Sequence, residues 1–222
     1  MGREAHVAKL RFNITMSIDG YVAGPNQSAE NPLGEGGLAL HEWVFATRTF
    51  RAMQGLEGGE AGLDDDHLAA WHTNIGATIM GRNMFGPVRG PWPDETWRGW
   101  WGEDPPYHTP VFVLTHHARQ PIEMEGGTTF HFVTEGIEAA LERAVEAAGD
   151  RDVSLGGGAR VAQQYLGAGL VDEMEIHVVP ILLGEGSRLF EHLEGGPSGF
   201  GCVGLVSSAA AAHITYIRKD DA

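Results

Sequence analysis

The stretch DVSLGGGARVAQQYLGAGLVDEMEIHVV, residues 152–179, runs through strand, turn, helix and strand in succession. Asp152 to Leu155 reads as a short apolar strand, Gly156-Gly157-Gly158 as a turn and Arg160 to Ala168 as a helix. Glu173 to Val179 alternates, with Met174, Ile176 and Val178 inward, which is the period of a second strand. The glycine turn sets free backbone N–H groups and a helix dipole at the carboxyl end of a strand, an arrangement suited to an anion. A Cβ there would hold a pyrophosphate away from those amides. A tight turn with no ligand accounts for the glycines equally well. The spacing is not G-x-G-x-x-G, and Asp172 begins the following strand, the wrong end for gripping a ribose, so the stretch is a poor Rossmann fingerprint.

Working outward, Val7 to Ile18 alternates Leu10, Phe12, Ile14 and Met16 with polar residues and predicts a strand ended by Asp19-Gly20. Tyr21-Val22-Ala23 resumes it briefly. Leu38 to Met53 carries helical spacing through Leu40, Trp43, Val44, Thr47 and Phe50, and Asp64-Asp65-Asp66 opens a second helix running through Trp71. Ala77–Met80, Val111–Leu114 and Phe130–Val133 are short buried strands. Pro87 to Pro110 is a loop rich in proline and tryptophan. Thr134 caps a helix to Ala148, ended by Gly149. Val203–Val206 and Ala211–Ile217 close the chain as an antiparallel pair. Strands alternating with helices imply an α/β fold of three layers, with a mostly parallel sheet covered on both faces and an antiparallel hairpin at its edge. No linker divides the chain, so one domain over 1–222 is expected, with an extended loop and helix segment at about 25–75.

A second strand-to-glycine junction occurs at Ile79-Met80-Gly81-Arg82-Asn83-Met84-Phe85, and a third strand end at Leu114-Thr115-His116-His117-Ala118-Arg119. Three strand ends bearing phosphate donors suggest a dinucleotide laid across the carboxyl edge of the sheet. Together with Met16-Ser17-Ile18-Asp19-Gly20-Tyr21-Val22-Ala23-Gly24, Gly169-Leu170-Val171-Asp172-Glu173 and Pro180-Ile181-Leu182-Leu183-Gly184-Glu185-Gly186, these motifs occur in a fixed order over roughly residues 10–190. In that order the chain resembles the dihydrofolate-reductase-like family that includes the reductase domain of bacterial riboflavin biosynthesis.

The resemblance implies a dihydrofolate-reductase-like fold, NADPH as the cofactor ahead of NADH, and a homodimer. It places Gly81, Arg82, Asn83 and Met84 on the pyrophosphate and adenosine side, and Thr115, His116 and Arg119 near the 2′-phosphate. Gly156, Gly157 and Gly158, backed by Arg160 and Val161, would hold the pyrophosphate and the nicotinamide end. Asp19 would lie at the pocket floor, positioning substrate or relaying a proton, although Asp-Gly after a strand is also an ordinary turn. Glu185 falls in the pocket-side loop, and His41, Trp43 and Glu185 are candidate substrate contacts, although Glu185 serves equally as a solvated loop carboxylate and Trp43, with Phe50, as the core face of its helix. The segment Pro25 to Gly62 is longer than the family's usual connection, and no attached deaminase domain is expected. The expected activity is therefore hydride transfer from NADPH to a small cyclic or heteroaromatic substrate. The alternative is a non-catalytic protein that sequesters a small molecule on the same fold.

Composition narrows the field further. Fifteen basic against thirty acidic residues give a formal charge of −15, which disfavours nucleic acid as a partner. Glycine, at 32 of 222 residues, is about twice its common share of roughly 7%, which points to turns and close backbone approaches. One cysteine, Cys202, rules out an intramolecular disulfide and a cysteine-rich zinc site. No signal-peptide pattern and no membrane-length apolar run occur, so a cytoplasmic location is expected. No metal is expected either: His67 and His72 are five apart and share a helix face poorly, while Glu173, Glu175 and His177 read as one face of a solvated edge strand.

Overall fold

The computed structural model describes residues 8–86, 89–193 and 199–219. Val7, the expected start of the first strand, and Pro87, the expected start of the tryptophan-rich loop, lie outside them. The elements in chain order are β1 (Leu10–Ser17), β2 (Tyr21–Ala23), α1 (Glu42–Ala46), α2 (Arg48–Met53), α3 (Leu63–Trp71), β3 (Ile75–Gly81), α4 (Arg82–Phe85), β4 (Pro110–Leu114) and β5 (Ile122–Glu123). They continue with β6 (Thr129–Val133), α5 (Ile137–Ala148), β7 (Asp152–Leu155), α6 (Ala159–Gly167), β8 (Glu173–Val179), β9 (Ser187–Arg188), β10 (Phe200–Ser207) and β11 (Ala212–Arg218). Nine strands form one sheet in the order β10-β11-β8-β1-β7-β3-β4-β6-β5, and β2 pairs with β9 in a separate ribbon.

The pairs β1–β7, β1–β8, β3–β7, β3–β4 and β4–β6 are parallel, so their carboxyl ends share one edge. β10 and β11 are antiparallel, and β11 runs antiparallel to β8, which sets the expected hairpin at the sheet margin. Right-handed crossovers fix the layers. The chain moves one way from β1 to β3, β4 and β6, carrying α1–α4 on one face. It then returns through β7 to β8, carrying α5 and α6 on the other.

Each face buries what its sequence period supplies. Ala140, Ala144 and Ala148 form a row on α5 that is 0–3% exposed, and small side chains there let the helix lie close to β3. On α6, Val161, Ala162, Tyr165 and Leu166 join Phe12, Ile79 and Leu155 in the same core. The Tyr165 hydroxyl donates to the Ile137 carbonyl at 2.8 Å, tying the two helices, and burial pushes its pKa up. On the opposite face, Leu40, Trp43 and Leu68 cover β8, while Phe85 and a set of tryptophans cover β4 and β6, packing on Phe130 of β6.

Three sequence expectations are corrected. The helix expected over Leu38–Met53 is broken into a 3-10 turn at Gly37–His41, then α1 and α2, because Thr47 is extended (φ −69°, ψ 151°). Its hydroxyl accepts from the Phe50 amide at 3.2 Å and donates to the Val44 carbonyl at 2.7 Å, so Thr47 caps the next helix instead of continuing the last. Thr134 does not cap α5, which begins after Gly136; its amide donates to the Glu135 carboxylate at 2.8 Å. Finally, Glu175 and His177 are 5% and 2% exposed, not on a solvated edge. β8 lies between β1 and β11 and is roofed by α1 and α3, and periodicity within β8 carries no record of those neighbours.

Candidate active site at the carboxyl edge of the sheet

The ends of β3 and β7 are stitched together where the two glycine motifs meet. Gly156 N–H donates to the Ile79 carbonyl at 2.8 Å and Gly81 N–H to the Gly157 carbonyl at 2.9 Å. A Cβ on Gly81 would fall 2.8 Å from Val161 Cγ2, so this close approach of strand and helix requires glycine. The Met84 thioether packs over Gly156, leaving about 3.2 Å to a Cβ there. Around Gly158, by contrast, no atom among the described residues comes within 4 Å of a Cβ position. No side chain among the described residues caps the start of α6, which presents the positive end of the helix dipole, while the Val161 amide is taken by the Gly158 carbonyl at 3.0 Å.

Two arginines approach from the ends of β3 and β4. Arg82 stacks on Trp92 with its guanidinium carbon 3.7 Å from the ring centroid, and Arg119 lies 4.9 Å from the same ring. Trp92 is anchored by its indole N–H donating to the His117 carbonyl at 2.9 Å. Arg82 donates to the Gly90 carbonyl and Arg119 to the Glu95 carbonyl, yet Arg82 Nε and Nη2 and Arg119 Nη1 are buried without an acceptor among the described residues. Burial lowers the pKa of both guanidinium groups, and Arg89 and Arg119 lower that of Arg82 further. Unpaired cationic N–H groups held near other cations favour an anion there.

Asp19 occupies the turn after β1. Ser17 Oγ donates to its carboxylate at 2.6 Å, and the amides of Leu183 and Gly184 donate at 3.2 and 2.8 Å. These bonds, the Ser17 hydroxyl first, hold its pKa down to about 2. A carboxylate so occupied clamps the β8–β9 loop and is a poor proton donor near neutrality. The same loop is tied to β2 by Tyr21, whose hydroxyl donates to the Gly184 carbonyl at 2.9 Å while receiving Arg188 Nη2. Glu185 follows in that loop and is exposed. Ile18 and Leu182 are 65% and 75% exposed beside it, an apolar rim next to the clamp.

The other expected site residues differ in exposure and partners. Thr115 is buried and its hydroxyl accepts from the His117 amide at 3.2 Å, while His116 and Asn83 are exposed on their turns. Val161 packs in the core against Gly81, and Arg160 lies outward beside Gln163, Gln164 and His192. Trp43 is 5% exposed, and its indole N–H donates to Thr15 Oγ1 at 3.1 Å, so it belongs to the core beneath the helical segment. His41 stacks near Phe45, and burial lowers its pKa. Trp92 and Ser17 are the participants that sequence reasoning missed. Ser17 carried a local signal in Ser-Ile-Asp-Gly, whereas Trp92 meets its arginines only through the fold.

With this geometry in place, comparisons with known proteins give a consistent result. The family model for the RibD C-terminal domain matches residues 8–197. The riboflavin biosynthesis protein RibD of Corynebacterium ammoniagenes is 28% identical over 195 residues, covering 86% of this chain and 47% of that protein. The chain thus spans about half the length of that curated relative. Among solved structures, one from Shewanella sp. PV-4 bearing a riboflavin-biosynthesis name superimposes with a TM-score of 0.60 at 23% identity, over 96% of this chain and 99% of that one. Dihydrofolate reductase from Enterococcus faecalis, in complex with NADP(H), gives 0.51 at 17% identity over 96% and 97% of the two chains. At these identities both structures attest the fold.

Proposed function

The chain belongs to the RibD C-terminal domain family, and from that premise we propose that it is an NADPH-dependent reductase acting on a small cyclic or heteroaromatic substrate. The observation that carries this proposal is the placement of the uncapped start of α6 and of the partly unpaired guanidinium groups of Arg82 and Arg119 after the carboxyl ends of the neighbouring parallel strands β7, β3 and β4. The amides suit a pyrophosphate, and the guanidiniums suit the additional 2′-phosphate that distinguishes NADPH from NADH. When bound, the nicotinamide supplies the hydride. The chain's own part is orientation. The open space beside Gly158 leaves room for the phosphates, and Ile18 and Leu182 offer an apolar rim for a flat ring. Asp19 is a positioning residue that holds Leu183 and Gly184, and with them the neighbouring Glu185.

The direct test is a thermal shift and tryptophan-fluorescence titration with NADPH and NADH, followed by NADPH consumption with candidate heterocycles. Stabilisation by NADPH well above that by NADH is expected. If neither cofactor shifts the melting temperature at millimolar concentration, the proposal fails.

Asp19→Asn separates the clamp from a proton relay. In the variant, amide hydrogen exchange at Leu183 and Gly184 should quicken while NADPH affinity stays unchanged and the substrate KM rises. Unchanged exchange at both amides contradicts the clamp. The pH dependence has a defined direction. Because the folded pKa of about 2 lies below the ordinary carboxylate value, the clamp contributes fully above about pH 4 and is lost as pH falls toward 2.

A homodimer through the C-terminal hairpin completes the proposal. β10 is an eight-residue edge strand, and Val203, Leu205 and Val206 on it are 62%, 66% and 41% exposed. A long apolar edge invites pairing with a second copy. Light scattering should give a dimer for the native chain and a monomer for Leu205→Lys; a monomer in both removes this part of the proposal.

A further inference from the structure

We propose that His177 and the polar cluster around it form an acid-sensitive latch, which holds the helical segment at residues 37–71 on the sheet at neutral pH and releases it on acidification. The latch lies on the face covered by α1 and α3 and does not depend on the reductase proposal.

His177 is 2% exposed, in register with Thr15 on β1 and His213 on β11. Trp43 of α1 covers it, with ring centroids 4.6 Å apart and its indole N–H on Thr15 Oγ1. His177 Nδ1 stands 2.7 Å from His213 Nδ1, so one proton fits between the two rings and a second would set N–H against N–H. His177 Nε2 is buried with no partner among the described residues. A charged ring at this position therefore has an N–H with no acceptor, at the cost of a buried, unpaired charge.

The other titratable groups facing His177 do not offset that charge. From α3, Asp64 meets His213 Nε2 at 2.8 Å, and His67 Nδ1 meets Glu175 Oε1 of β8 at 2.5 Å. Both carboxylates are thus engaged by other histidines. His67 stacks on His213 with centroids 4.3 Å apart, and His41 approaches from the 3-10 turn. Burial first, then His213, His67 and His41, push the pKa of His177 down to about 3. Burial also lowers that of His41.

The helical segment is the part of the fold that such a charge can dislodge. Leu40, Trp43 and Leu68 pack with Val179 and Ala211 in a core of their own, separate from the larger core beneath α5 and α6. A small satellite core opens more readily than the main one, and opening gives His177 the water that an imidazolium needs. Because the docked pKa lies below the ordinary 6.5, the latch holds fully above about pH 6.5 and weakens as pH falls toward 3. His177 alone should shift the docking equilibrium by about 25-fold between pH 7 and pH 5.

The test is amide hydrogen exchange of the full chain at pH 7 and pH 5, corrected for the intrinsic rate at each pH. Protection in α1 and α3 should fall by about 25-fold or more, with α5 better protected than either at pH 5. In His177→Gln, which does not titrate, the fall should shrink by about the same factor. His72 and His131, also held below the ordinary value by burial, lie outside the cluster, so their share of the pH dependence survives in this variant. Protection independent of pH, equal protection of all three helices at both pH values, or an unchanged fall in His177→Gln each overturns the proposal. If that variant does not fold, the imidazole proton resonances of the native chain decide. A His177 ring that stays neutral down to pH 4.5 supports the latch, and one that titrates near pH 6.5 in the folded chain overturns it.

Discussion

Arg82→Ala should weaken NADPH binding by about 10- to 100-fold while changing NADH binding less than about threefold. Hydrogen bonds to charged groups contribute about 1.5–3 kcal/mol, and each 1.4 kcal/mol is a factor of ten in affinity. Arg82 is the best placed of the cations for this role. Its Nε and Nη2 lack acceptors among the described residues, Trp92 lies 3.7 Å from its guanidinium carbon, and neighbouring Arg89 and Arg119 lower its pKa. Loss of the stacked guanidinium also uncovers the Trp92 face, so tryptophan fluorescence of the free protein should change. Titrating both cofactors discriminates a phosphate contact from general damage to the fold. An equal loss for NADPH and NADH would show that Arg82 does not meet the 2′-phosphate.

Gly81→Ala should destabilise the chain by about 1–3 kcal/mol, the usual cost of forcing an extra methyl into a packed core. The new Cβ would sit 2.8 Å from Val161 Cγ2, and a β-branched side chain in a helix has one favoured rotamer, so it cannot easily swing aside. Either α6 shifts away from β3 or the Gly81 N–H bond to the Gly157 carbonyl stretches. Both responses displace the amides proposed to hold the pyrophosphate, so NADPH affinity should fall together with stability. Val161→Ala in the same chain removes the clash, and the double variant should recover more stability than additive single effects allow. Simple additivity in denaturant melts would place the cost of Gly81→Ala elsewhere.

The legible part of the site was the part built from local chemistry. Gly81 and Gly156 to Gly158 announced strand-to-helix junctions, because a turn's backbone demands act over a few residues. Ser17-Ile18-Asp19-Gly20 announced a turn, but nothing near it in sequence shows that Leu183 and Gly184 would occupy the carboxylate. The same limit explains the broken helix at residues 38–53. Apolar spacing predicted one face correctly, since Leu40 and Trp43 are buried, but spacing does not reveal that Thr47 uses its hydroxyl as a cap.

By itself the sequence determined the alternation of strands and helices, the mostly parallel sheet with its edge hairpin, and the glycine turns at the ends of β3 and β7. Hydrophobic period and turn chemistry are short-range properties, and right-handed crossovers convert them into layers. Only the tertiary structure decided that Trp92 meets both Arg82 and Arg119, and that Glu175, His177 and His213 are buried beneath α3. Burial of a side chain depends on which strands flank its own and which helix covers them. Those partners lie 149 residues apart for Asp64 and His213, and 108 for His67 and Glu175, distances over which no local pattern can speak.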